Sequence, residues 1–267
     1  MSDHHFNHIT MERGNIMTWG SFGIIHITSL ILGIGLIIGL YFLLKRFSPK
    51  VQTIVLGILS FSGIAAILYN LLMWGSPLEY LPLHLCSLNA MVLPFAVWTR
   101  NKVLNNLLLL WGLGALLALV VNTAQASFEI FSWTFVFYFF PHLLEIGIPV
   151  LMFSLRLVKR ELKCISSTVL ITIGAYTVIH FINVALNQYF INSNSLDYAG
   201  NLIQVNYMYS IKPENPLLQL FYNIIPHSYW YMYLAIPLIV VYLSCFYRKY
   251  IILRIKEKKQ KKLQEQE

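Results

Sequence analysis

Apolar residues in this chain come in long unbroken runs rather than at the alternating spacing of soluble helices or strands. Seven such runs are present, at about 21–44, 51–74, 81–99, 103–122, 132–155, 164–187 and 219–247. Each is close to the roughly 20 residues a helix needs to cross a bilayer. The pattern predicts an all-α membrane protein of seven transmembrane helices. The third run is short. The last is long, and its first third is expected to lie at the membrane interface. Three regions follow: an extracytoplasmic N-terminal segment over 1–20, a transmembrane domain over 21–247 with one long outer loop at 188–218, and a basic cytoplasmic tail over 248–267.

Composition agrees with this picture. The chain is 57% hydrophobic and 11% charged, against about 25% charged for a soluble domain. The net charge of +8 does not point to nucleic acid, because the charges fall between apolar runs. All lysines and arginines except Arg13 and Lys212 belong to the loops after runs one, three and five or to the tail. The positive-inside rule then places the N-terminus outside and the C-terminus inside. The first run is too long for a signal peptide and is followed, not preceded, by basic residues. A multi-pass protein of the cell membrane, bacterial cytoplasmic by expectation, is the resulting localisation. The tail reads as a solvated anchor drawn to anionic lipid. His4, His5 and His8 read as part of a disordered or interfacial leader.

Orientation converts sequence position into depth. His26, Asn70, His84, Cys86, Asn89, Asn122, Gln125, His142, Glu145, His180, Asn183, Asn187 and His227 all fall in the outer parts of their runs, and the inner halves hold little comparable. Polar side chains are expensive in hydrocarbon and are read as functional there, so the asymmetry predicts one polar cavity opening toward the outer leaflet. The stretch Leu81–Pro94 concentrates the chemistry. Pro82 suits the first turn of a helix, which would put Cys86 about one turn in, where the helix dipole favours a thiolate. Cys86 and Asn89 share a face, whereas His84 points elsewhere, so a base for the thiol is expected from another helix. In run five, His142 and Glu145 are three apart, so the carboxylate is expected to orient the imidazole. His180, Asn183 and Asn187 form one stripe in run six. Cys164 and Cys245 lie near basic helix ends and read as reduced and structural, or palmitoylated. Gly112 and Gly114 read as helix-packing positions. Trp133, Tyr138, Tyr229, Trp230 and Tyr231 read as interface belt and core.

The segment Pro82-Leu-His-Leu-Cys86 resembles the signature of the YwaF-like bacterial membrane proteins, a group similar to the animal transmembrane-protein-164 acyltransferases. Asn206-Tyr-Met-Tyr209, followed by Pro213, Pro216, Pro226 and Trp230-Tyr231, resembles the same group's loop leading to the last helix. The resemblance covers about 20–250. It implies a seven-span helical fold and phospholipid acyl transfer through a membrane cysteine and histidine. Cys86 matches the cysteine of the motif. His142 is the candidate base, with His180 as its substitute, because the His-Gly of the family's fifth span is here His142-Leu143.

The expected function is a lipid acyltransferase or transacylase with a Cys–His site open to the outer leaflet. Cys86, His142 and Glu145 are the candidate catalytic residues. His84, Asn89, His180, Asn183, Asn206, Tyr207 and His227 are the candidate substrate-binding residues, with Asn89, His180 or Asn183 as oxyanion donors. Membrane phospholipids are the expected partners, and neither metal nor cofactor is required. Three alternatives stay open: a lipid ester hydrolase, a transporter or lipid-binding protein without covalent chemistry, and an intramembrane metal site built from His26, His84, His142, His180 and His227.

Overall fold

A computed structural model describes residues 18–20, 22–73, 80–121, 128–197 and 200–264, with side chains to 260. The leader histidines His4, His5 and His8, and the outer-end amides Asn122 and Gln125, lie outside the described residues. Apart from a two-residue antiparallel pair, β1 (Thr18–Trp19) with β2 (Phe128–Glu129), the regular structure is helical. The helices are α1 (Ile24–Leu44), α2 (Pro49–Ser60), α3 (Ser62–Met73), α4 (Leu85–Thr99), α5 (Lys102–Val120), α6 (Trp133–Ser154), α7 (Lys163–Ser193), α8 (Pro216–Ile224) and α9 (Ile236–Gln264).

Six of these helical stretches are long and apolar enough to cross a bilayer, α2 and α3 counting as one, and the 15-residue α4 is a shorter apolar helix. The chain is a multi-pass membrane protein. Its helices carry the signature of lipid as solvent. Ile24, Leu32, Leu72, Leu170 and Phe181 are more than 60% exposed, which water would not tolerate over so large an area. Polar Gln52, Asn89, Asn105, Glu145 and Asn183 are buried instead.

Four boundaries differ from the apolar pattern, one of them at the end of run six, where α7 continues to Ser193, six residues into the expected loop 188–218. Run two breaks at Phe61 into α2 and α3. Run three becomes helical only at Leu85, with His84 as N-cap in extended conformation, so Pro82 precedes the helix and Cys86 is its second residue. The last run is α8, then a 3-10 turn over Trp230–Ala235, then α9, which continues through the basic tail to Gln264. Local sequence accounts for several ends. Asn101, Ser132 and Asn215 accept from the backbone N–H groups of Leu104, Phe135 and Leu218, and Pro49 and Pro216 occupy first-turn positions where no N–H is needed.

α5 is the central helix. Leu107, Leu108, Leu109, Leu110 and Trp111 are buried against Leu93 and Val97 of α4 and Ile148, Leu151 and Met152 of α6. The glycines allow close crossings. A Cβ on Gly112 would sit 3.4 Å from the Ile146 Cα, and one on Gly114 would sit 3.0 Å from Leu85. His26 is a fully buried latch between α1 and α5. Its Nε2 donates to the Leu119 carbonyl at 2.7 Å and its Nδ1 accepts from the Phe22 N–H at 3.2 Å. Trp19 is packed beneath β1 against His26, Phe128, Phe135 and Tyr138.

Candidate active site

The C-terminal end of α3, the start of α4 and the first half of α6 surround a cavity of about 250 Å³. These helix ends are all opposite to the basic loops. Gly63, Ala66, Ile67 and Asn70 of α3 line one wall, Cys86, Ser87 and Ala90 of α4 a second, and Thr134, Phe137, Tyr138, Pro141, His142 and Glu145 of α6 a third, with Phe128 beside them. Asn70 and Thr134 are exposed and mark the mouth, whereas Gly63, Ala90 and Glu145 are buried and mark the floor. From Gly63 to Asn70 the wall rises about 10 Å at the helical 1.5 Å per residue.

The three candidate catalytic residues therefore come together, from two helices that share no sequence neighbourhood. Cys86 is delivered by the first turn of α4. His142 faces the cavity from α6, and its Nδ1 donates to the Tyr138 carbonyl at 2.7 Å. A carbonyl can only accept, so the proton sits on Nδ1 and Nε2 keeps a free lone pair. The imidazole is thus oriented by the Tyr138 carbonyl rather than by a hydrogen bond from Glu145, as the sequence spacing had implied. The Tyr138 ring, whose centroid lies 4.6 Å from that of His142, packs against it. Glu145 is 3% exposed and lies within electrostatic range of both His142 and Cys86, next to Asn89. Its Oε2 has no hydrogen-bond partner among the described residues, nor does either polar atom of the fully buried Asn89 side chain. A buried carboxyl beside a buried amide is costly unless other groups complete their hydrogen bonds.

The other candidates sit outside the lining. Asn183, fully buried in α7, accepts from the Tyr207 N–H at 3.0 Å and donates to the Tyr207 carbonyl at 2.8 Å and the Ser210 Oγ at 2.9 Å. Asn187 pairs in the same way with both backbone groups of Val205. His180 Nδ1 lies 3.1 Å from the Ser210 Oγ. Asn206 accepts from the Ile211 N–H and donates to the Lys212 carbonyl and to Glu214. The Tyr207 hydroxyl accepts from the Leu81 N–H at 3.2 Å, and the His84 Nδ1 accepts from the Met208 N–H at 3.4 Å. The loop between α7 and α8 is thereby fastened to α7 on one side and to the start of α4 on the other. His227 is exposed and donates from Nδ1 to the Ser228 carbonyl at 2.6 Å. Among the described residues, no three His, Cys, Asp or Glu side chains are grouped so as to hold a metal ion.

The sequence pattern singles out none of Gly63, Ala66, Ser87 and Thr134, and it marks Tyr138 only as interface belt and core. A signal existed for the first two: Gly63, Ala66 and Asn70 fall at i, i+3 and i+7, one small-residue face ending in an amide. Gly63 is also where α3 and α4 touch. A Cβ there would meet the Ala90 Cβ at 2.5 Å and its Cα at 3.2 Å, and would lie 3.6 Å from Glu145 Oε1. Gly63→Ala is expected to destabilise the protein by about 1–3 kcal/mol, as overpacking does. Gly39→Ala, in α1 where nothing lies within 4 Å, is expected to be neutral or mildly stabilising. Thermal unfolding in detergent compares the two.

Against known families, the chain matches the one described as the TMEM164 family over residues 19–247. No curated protein and no solved structure matches it.

Proposed function

The chain belongs to the TMEM164 family, and from that premise we propose that it is a seven-span, N-out and C-in acyltransferase or transacylase acting on phospholipid acyl esters at the outer leaflet. The observation that carries this reading is the convergence of Cys86, His142 and Glu145 on one cavity. Sγ of Cys86 attacks the ester carbonyl of a donor lipid while Nε2 of His142 accepts the thiol proton. The tetrahedral adduct collapses to a thioester on Cys86, and the lysolipid alcohol leaves with that proton. An acceptor hydroxyl then gives its proton to His142, attacks the thioester and releases the thiol. Glu145 stabilises the imidazolium between the two proton transfers. With water as acceptor, the same steps make a lipid ester hydrolase.

The lining supports ester rather than phosphoryl chemistry. Among the described residues it contains no lysine or arginine, so no cation is offered to a phosphate there. The cavity is also below the roughly 300–1,000 Å³ of sites that swallow a drug-sized ligand. It holds an ester and the adjacent glycerol, while the acyl chains stay in the bilayer.

Trapping the intermediate tests the proposal. Purified protein in liposomes containing a lipid with a labelled acyl chain is expected to acquire label on Cys86 that hydroxylamine removes. A membrane-impermeant thiol reagent applied to intact cells is expected to block that labelling and to leave Cys245 unmodified. No label on Cys86, with acyl exchange intact, would reject the assignment.

A further inference from the structure

Acyl transfer needs donors for the oxyanion; of the side chains first considered for that task, Asn89 lies outside the cavity lining and the other two are occupied. Asn183 and His180 are committed to the outer loop. The backbone offers the alternative. α4 begins at Leu85 after His84, whose side chain makes no capping hydrogen bond. The first intrahelical bond runs from the Leu88 N–H to the His84 carbonyl at 3.0 Å. No backbone carbonyl accepts from the N–H groups of Leu85, Cys86 and Ser87 among the described residues, and those of Cys86 and Ser87 are directed at the Cys86 sulfur. Two of these residues, Cys86 and Ser87, line the cavity.

A bare helix start is not a site, but a second feature points to a ligand here. Glu145 faces the same cavity, is 3% exposed, and presents an Oε2 that nothing in the described protein satisfies. The lining thus contains N–H donors gathered around the Cys86 sulfur on α4 and an open acceptor on α6. A bound ester with a hydroxyl or proton nearby would complete both.

We infer that the backbone N–H groups of Cys86 and Ser87, at the uncapped start of α4, form the oxyanion site for acyl transfer. The inference rests on the Cys86 reading above and adds its electrostatic half. As the Sγ–C bond forms, the carbonyl electron pair moves onto oxygen and the thiol proton passes to Nε2 of His142. The oxygen is then held by two N–H donors and by the positive end of the helix dipole. When the adduct collapses, the pair returns to the carbonyl, the donor C–O bond breaks, and the departing alkoxide takes the proton from His142. The arrangement explains why the cysteine belongs at the second helical position. One turn further in, its own N–H would be bonded within the helix.

Proline substitution tests the N–H groups directly, because the first helical turn accepts proline. Ser87→Pro deletes one proposed donor. Leu85→Pro carries the same backbone change at a residue outside the cavity lining. Ser87→Pro is expected to lower kcat for acyl exchange by about 10²–10³-fold with KM within about 2-fold of wild type, while Leu85→Pro stays within about 3-fold in kcat. If Ser87→Pro does not fold, an ester bond in place of the Ser87 amide removes the same N–H and is expected to cost at least 10-fold. Wild-type kcat in the Ser87 variant would overturn the inference, as would equal losses in the Ser87 and Leu85 variants. An active Cys86→Ala would instead overturn the underlying reading, so the two failures are distinct.

Discussion

Cys86→Ala is expected to lower acyl exchange between phospholipids in proteoliposomes by at least about 10³-fold, because the nucleophile that carries the acyl group is gone. His142→Ala is expected to lose about 10²–10⁴-fold, the usual worth of a positioned general base. The informative result is the double variant. Residues that act as one unit do not add their losses, so Cys86→Ala/His142→Ala is expected to be no slower than the worse single variant. His180→Ala is expected to retain far more activity than His142→Ala, since the His180 ring is engaged with Ser210 outside the cavity lining. Near-full activity in either Cys86→Ala or His142→Ala, measured as transfer of a labelled acyl chain, would remove the proposed chemistry.

The second large effect concerns the scaffold. Asn183→Leu keeps the side-chain volume of a fully buried position but removes three hydrogen bonds to Tyr207 and Ser210. The Tyr207 N–H would lose its Asn183 acceptor, at about 1–3 kcal/mol, while its carbonyl would keep the Ser210 N–H at 3.4 Å. A loss of about 2–5 kcal/mol is expected, together with cleavage of the loop between α7 and α8 by added protease. Because that loop also contacts the start of α4 through Leu81 and His84, Cys86 is expected to become more reactive toward bulky thiol reagents. An unchanged melting temperature and an uncut loop would show that the clamp does not hold the outer face together. Asn187→Leu, which removes the paired bonds to Val205, offers a smaller version of the same test.

These expectations draw on different levels of information. The helices were legible because hydrocarbon imposes a length and excludes charge, so runs such as 21–44 announce themselves residue by residue. The depth of the polar residues followed from the lysines and arginines alone. The boundary at Leu85 was not legible. Pro82 fits a first turn equally well, and what holds Leu81–His84 out of helix includes the Tyr207 hydroxyl and the Met208 N–H, more than 120 residues away. The partner of His142 was misjudged for a related reason. Glu145 at i+3 and the Tyr138 carbonyl at i−4 compete for one nitrogen, and spacing does not rank a side chain against a backbone acceptor.

The roles of the polar residues at the outer end divide along the same line. Sequence placed His84, Cys86, His142, Glu145, His180 and Asn183 at one depth, and the folded chain keeps them at that end of the bundle. Depth is a one-dimensional quantity, fixed by distance along a helix from its basic end. Which side of each helix faces which neighbour is set by packing at contacts such as Gly63 on Ala90 and Gly112 on Ile146, and no residue encodes those alone. Tertiary structure therefore decided that Cys86, His142 and Glu145 share a cavity while His180 and Asn183 turn away to hold a loop.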